Sequence, residues 1–211
     1  MASLDTSSPI NVFFVILSAL VIISVVISVH EASHAFFANK LGDPTARLMG
    51  RMTLNPMAHI DPIGTILIPL ILFIFGGFIF GWAKPTPINP LNFSHPRRDS
   101  AIVAFAGPAS NFTLAIFFSI LFRILPNQFF LFFVSINLIL GIFNLIPVPP
   151  LDGYKVLLGI LPREAALRLS VLENYGPIIL IIFLFFFIQF FAPLISAAIN
   201  ILLRLLVGTT F

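Results

Sequence analysis

From Pro9 to Val29 the chain reads PINVFFVILSALVIISVVISV without one charged side chain. A helix crosses the roughly 30 Å hydrocarbon core of a bilayer with about 20 apolar residues, so this run already commits the chain to a membrane. It then passes without a break into His30, Glu31 and His34 of HEASH. Ionisable side chains at membrane depth are costly and mark function by default.

Composition agrees with the run. Only 9% of the 211 residues are charged and 59% are hydrophobic, whereas a soluble domain carries roughly 25% charged residues. The 26 phenylalanines suit lipid-facing and inter-helix packing. With no cysteine there is neither a disulfide framework nor a thiolate metal site, so any metal must be held by His, Asp or Glu. The net charge of +3 does not indicate nucleic acid, because the basic residues are scattered in short loops beside apolar runs. The positive-inside effect accounts for that distribution. MASLDTSSP has no basic leader region and the apolar run is too long for one, so the first segment is expected to be a retained span.

Five apolar regions are expected to enter the membrane: Ile10 to about Asn39, Ile63 to Trp82, about Asp99 to Leu125, Phe129 to Ile146, and Pro177 to about Val207, the last interrupted at Pro193. Gly153 to Asn174 mixes aliphatic residues with Lys155, Arg163, Glu164, Arg168 and Glu173, the composition of a helix lying on the membrane surface. Arg123, near a span end, is expected to snorkel to the interface, and His95 to lie at the surface. The loops around Pro44, Pro56, Pro62 and around Pro85, Pro87, Pro90, Pro96 are expected to be rigid and extended with turns. The fold class is therefore an all-α polytopic membrane protein with four to six transmembrane helices. A single domain covers residues 1–211, with a core at 10–152 and a surface helix and further span or spans at 153–211.

The two histidines of HEASH are four residues apart, which on a helix puts both imidazoles on one face and within reach of one ion. Glu31 stands beside them as a general base for water. A catalytic zinc site takes a third protein ligand and keeps one position open. Asp5 lies before the first span, Asp43 and Asp99 in loops, Glu164 and Glu173 in the surface segment. Asp152 comes off the end of a span in NLIPVPPLDG. PLDG alone reads as a plain turn, but paired with HEASH it makes Asp152 the expected third ligand. His59, flanked by prolines, reads as a structural hydrogen-bonding residue of its loop, or else as a second-shell or proton-shuttling group. Asn111, inside a span, must be bonded or functional.

In the order HEASHA, NPMAHIDPIG, GWAKPTPIN, AGPASN and FNLIPVPPLDG, most of the chain resembles the site-2 protease family of intramembrane zinc metallopeptidases. It is similar to the small bacterial and archaeal type without PDZ or CBS domains. The resemblance implies one Zn2+ per chain held by His30, His34 and Asp152, with Glu31 as the catalytic acid/base. It also implies that Asn111 and Asn144 touch substrate or the transition state. One departure is the small Ala32-Ser33 pair inside the motif, which would let a helix or a substrate approach closely.

The expected function is hydrolysis of peptide bonds in transmembrane segments of other proteins, in the cytoplasmic (inner) membrane with the lipid bilayer as medium. One alternative is a metallopeptidase that cuts near the membrane surface and takes a glutamate as third ligand. Another is a non-catalytic metal-binding membrane protein. A transporter would spread its polar residues over several spans, and a dead scaffold would be expected to lack Glu31. Lys40, Arg47 and Arg51 follow the first span and no basic residue precedes it, so HEASH is expected toward the cytoplasm. Asp152 must reach the same side, and the turn at Pro126-Asn127 then leaves Ile63 to Trp82 starting and ending there. That segment is expected to be re-entrant and broken at Gly76-Gly77.

Overall fold

The computed structural model describes residues 9–74 and 81–208; the Gly76-Gly77 break lies outside them. Helix α1 (Pro9–Lys40, 32 residues) carries the first apolar run straight through HEASH. At about 1.5 Å per residue it is about 48 Å long, so the motif extends the spanning helix without interrupting it. Its serines do not break it, because Ser24, Ser28 and Ser33 each donate to the carbonyl four residues earlier. It stops where Gly42 takes a φ of 112° and the Asp43 N–H reaches back to Ala38 O at 2.9 Å, a glycine-dependent helix end.

A short helix α2 (Thr45–Leu48) and a 3-10 turn (Pro56–Ala58) follow, then a π-helical turn (Pro62–Leu67) running into α3 (Ile68–Ile74). From residue 81 the described chain lies back beside the start of this segment. Trp82 N donates to Gly64 O at 3.1 Å, Thr65 Oγ1 to Trp82 O at 2.8 Å, and Lys84 N to His59 O at 2.9 Å. A Cβ on Gly64 would collide with the Trp82 indole, so this close return requires glycine there. The two ends of Ile63 to Trp82 therefore meet.

Helix α4 (Pro96–Ile124) begins three residues earlier than the sequence suggested. Pro96 suits a first helical position, and Asp99 Oδ2, in the first turn, accepts the N-cap His95 N–H at 2.9 Å. Helix α5 (Gln128–Asn144) follows a tight turn in which Asn127 accepts the Phe129 N–H. The expected surface helix is instead two short pieces, α6 (Asp152–Ile160) and α7 (Arg163–Ser170). Pro162 forces the preceding Leu161 into extended backbone and splits them. From α7 a 3-10 turn (Val171–Tyr175) leads directly into α8 (Gly176–Phe190), and α9 (Ala192–Val207) closes the described chain. No strand occurs among the described residues.

Three stretches among the described residues are long and apolar enough to cross a membrane: Leu17–Lys40, Pro96–Ile124 and Arg163–Phe186. Helices α5 and α9, at 17 and 16 residues, fall just short of that length. The chain is an all-α polytopic membrane protein. Helix α4 is its centre: Ala115 packs with Val134 and Leu138 of α5 and with Ile199, Leu203 and Val207 of α9. Arg123 does not simply snorkel; its guanidinium donates to the Leu205 and Leu206 carbonyls, where the α9 dipole is negative.

Candidate metal centre

Three helices deliver the site. Near its C-terminal end, α1 brings His30 and His34; α4 crosses them with its N-terminal half; the turn after α5 delivers Asp152 as the first residue of α6. Helix α4 thus runs antiparallel to α1 and α5, the arrangement the parity argument needs.

Two glycines make the approach possible. A Cβ on Gly107 would fall on His34 Nε2 and lie 2.6 Å from His30 Cε1. One on Gly153 would strike the Leu145 backbone, so Gly153 lets the start of α6 fold back against the end of α5.

His30 Nε2, His34 Nε2 and Asp152 Oδ2 form a nearly equilateral triangle. The imidazole nitrogens are 3.1 Å apart, and the carboxylate oxygen is 3.1 and 3.2 Å from them. This is the one cluster of three potential metal ligands among the described residues. The outward ring nitrogens identify what the inner ones carry. His34 Nδ1 is 2.7 Å from Val103 O, a main-chain carbonyl that can only accept. His34 therefore carries a proton on Nδ1, which leaves Nε2 as the nitrogen that can offer a lone pair to an ion. His30 Nδ1 lies 2.6 Å from Asn111 Oδ1 and does the same. Asp152 Oδ2 is accordingly a buried acceptor with no hydrogen-bond donor.

With both rings neutral, three lone pairs face one another at such distances and repel unless a cation lies between them. A tetrahedral zinc with bonds of about 2.0 Å spaces its ligand atoms about 3.3 Å apart. The donor set fits zinc.

Glu31 faces a different neighbour. Its Oε2 accepts the Thr86 N–H at 2.9 Å and the Thr86 hydroxyl at 2.7 Å. Thr86 belongs to an extended strap, and buried charges tie it down on both sides. Arg51 donates to the Lys84 and Pro85 carbonyls. Asp43, fully buried, accepts from Asn89 N, Asn92 Nδ2, Thr45 N and Thr45 Oγ1. Burial pushes the Asp43 carboxyl up, but these bonds from Thr45, Asn92 and Asn89 outweigh it and hold it below the usual carboxylate value.

The remaining sequence-predicted residues divide. Asn111 is fully buried, with Oδ1 on His30 and Nδ2 on Asn137 Oδ1 at 3.0 Å. Asn144 closes α5, half-buried, its Nδ2 on Leu140 O at 3.0 Å, one residue before the backbone that Gly153 packs against. His59 is buried in its loop, Nε2 on Thr53 O at 2.9 Å, and among the described residues no hydrogen bond links it to the three-atom cluster. Glu164 and Glu173 are exposed on α7 and the turn after it and are not part of the cluster. Sequence reasoning missed Thr86, Gly107 and Asn137. Only Asn137 left a signal, as a polar residue inside an apolar span.

The profile of Peptidase family M50 matches residues 18–127 and 123–188. Three curated relatives share the name "Putative zinc metalloprotease". YwhC of Bacillus subtilis is 39% identical over 189 residues, spanning 82% of this chain and 80% of that protein. Rip2 of Mycolicibacterium smegmatis is 29% identical over 188 residues, spanning 85% and 71%. MJ0611 of Methanocaldococcus jannaschii is 43% identical over 65 residues, spanning 28% and 34%. No solved structure matches the chain. The chain belongs to Peptidase family M50 and is a membrane zinc metallopeptidase.

Proposed function

We propose that this member of Peptidase family M50 cleaves peptide bonds inside the transmembrane segments of other membrane proteins. The observation that carries the reading is the position of the cluster within the helix bundle. His30 and His34 are each only 5% exposed, one and two turns beyond Val26, which packs in the apolar α1–α5 contact with Phe133. A substrate reaches such a site most directly as chain already in the bilayer, and it must be unwound there, because a peptide bond within an intact helix is shielded.

His30, His34 and Asp152 would hold one Zn2+ per chain. Bound there, zinc lowers the pKa of water toward neutrality and polarises the scissile carbonyl. Glu31 takes a proton from the attacking water and returns it to the amide nitrogen as the C–N bond breaks. Thr86 occupies Oε2 of that carboxylate and aims the other oxygen at the proton. Asn111 holds the His30 ring. Asn144, beside the turn that brings Asp152, contacts the substrate chain, and His59 braces its loop against the strap.

The active site faces the cytoplasm across the inner membrane. Lys40, Arg47, Arg51, Lys84, Arg97 and Arg98 all lie on its side of the bundle, which supports that orientation. Met57→Cys and Leu91→Cys, in a chain otherwise without cysteine, should then react with an impermeant thiol reagent only from the cytoplasmic side. Labelling of either from outside would reverse the orientation.

The test of activity is a proteoliposome assay with model single-span peptides, the product mass locating the cut. Wild-type protein should cut within the span, whereas Glu31→Gln should bind zinc and release no product. Substantial turnover by that variant would remove Glu31 from its role, and cuts confined to the flanks would favour the surface-cutting reading.

A further inference from the structure

Asn137 lies on α5, fully buried, at a point where nothing about packing calls for an amide. Its neighbours in the core, Phe133, Val134 and Leu138, are apolar. We propose that Asn137 is a positioning residue of the metal centre, setting the ring tautomer of His30 through Asn111. The proposal rests on the ligand reading above and extends it to a residue outside the cluster.

The argument is one of hydrogen-bond polarity. Asn137 Nδ2 is 2.8 Å from Phe133 O, a main-chain carbonyl that can only accept. The amide must therefore present its nitrogen to Phe133 and its oxygen to Asn111. Asn111, 3.0 Å away, must then donate with Nδ2 and turn its own oxygen to His30. That oxygen, 2.6 Å from His30 Nδ1, can only accept, so the imidazole proton is held on Nδ1 and the Nε2 lone pair faces Asp152 and His34. Three bonds run in one direction from the backbone of α5 to the ring of His30 on α1, ending on Nδ1. His34 obtains the same tautomer in one step, from Val103 O.

Without Asn137, Asn111 can rotate its amide and donate to His30 Nδ1. The proton then moves to Nε2, where it blocks the ligand lone pair. Outer hydrogen-bond partners of metal-ligating histidines commonly contribute about 10–100-fold in affinity.

The experiment uses the full chain in lipid nanodiscs. Zinc affinity is read by chelator competition, the ligand field by the absorption spectrum of the Co2+-substituted protein, and the fold by thermal unfolding of the metal-free protein. Asn137→Leu should lower zinc affinity about 10–100-fold and alter the Co2+ spectrum, while the metal-free protein unfolds as the wild type does. Asn137→Asp, whose protonated carboxyl can donate to Phe133 O while its other oxygen faces Asn111, should retain most of the affinity. If Asn137→Leu does not fold, Asn137→Ser, smaller and too short to reach Asn111, carries the same expectation. Wild-type affinity and spectrum in these variants would overturn the proposal. So would an affinity loss in Asn137→Asp as large as in Asn137→Leu and matched by lost metal-free stability, which is the signature of packing. Wild-type affinity in His30→Ala would instead overturn the ligand reading, and the proposal with it.

Discussion

Gly107→Ala adds a single carbon, and the structure says where it goes: onto His34 Nε2 and 2.6 Å from His30 Cε1. Comfortable contact between such atoms is about 3.5 Å, so the His30 ring must give by about 1 Å and the His34 ring by more. Neither ring is free to swing, since Nδ1 of each is bonded at 2.6 or 2.7 Å on its far side. Zinc–nitrogen bonds of about 2.0 Å tolerate about 0.2 Å, so a ligand displaced that far leaves coordination. Zinc affinity should fall at least about 100-fold, or about 2.7 kcal/mol. Folding stability should change little by comparison: overpacking costs about 1–3 kcal/mol, and replacing a mid-helix glycine with alanine recovers about 1 kcal/mol. Gly159→Ala is the matched control, because its Cβ collides with Ala101 Cβ where α6 meets α4, and neither His30 nor His34 is among its nearest neighbours. Both variants should show similar thermal shifts, and only Gly107→Ala should lose zinc by elemental analysis and chelator competition. Full zinc content in Gly107→Ala would refute the geometry on which the centre is built.

Thr86→Val removes the hydroxyl bond to Glu31 Oε2 and keeps the N–H bond beside it. A hydrogen bond to a charged group contributes about 1.5–3 kcal/mol, so turnover should fall about 10–100-fold with zinc content unchanged; unaltered turnover would remove Thr86 from the mechanism. Asp43 gives a pH dependence of definite sign. Its folded carboxyl sits below the ordinary value of 3.8, so its stabilisation is complete above about pH 5 and is lost as pH falls through the folded value. Thermal unfolding of the wild type should show that acid loss and Asp43→Asn should flatten it, whereas equal slopes in the two proteins would count against the strap anchor.

What was legible in the sequence was local, or scarce. The spacing of His30 and His34 is a property of one helix, and Asp152 stood out because so few acidic residues end a span. A re-entrant segment was the expectation from parity; the structure pairs its two ends at Gly64 and Trp82. The division of the Gly153 to Asn174 segment was also written locally, in Pro162, but the amphipathic composition masked it. Thr86 and Gly107 gave no warning, because each matters through an atom of another element: a glutamate 55 positions away and two rings on α1.

Asn137 is the intermediate case, and it states the limit in physical terms. A serine or threonine in a span can satisfy itself on the carbonyl one turn back, as Ser24, Ser28, Thr113 and Ser135 do. An asparagine that does the same, as Asn137 does on Phe133 O, still has an amide oxygen to satisfy in a medium that supplies no water. Its presence in an apolar helix therefore announces a donor on a neighbouring helix. The chain contains several candidates for that donor, and local rules do not rank them. Only the packing of α4 between α1 and α5 selects Asn111, and with it the path from a backbone carbonyl of α5 to His30 Nδ1.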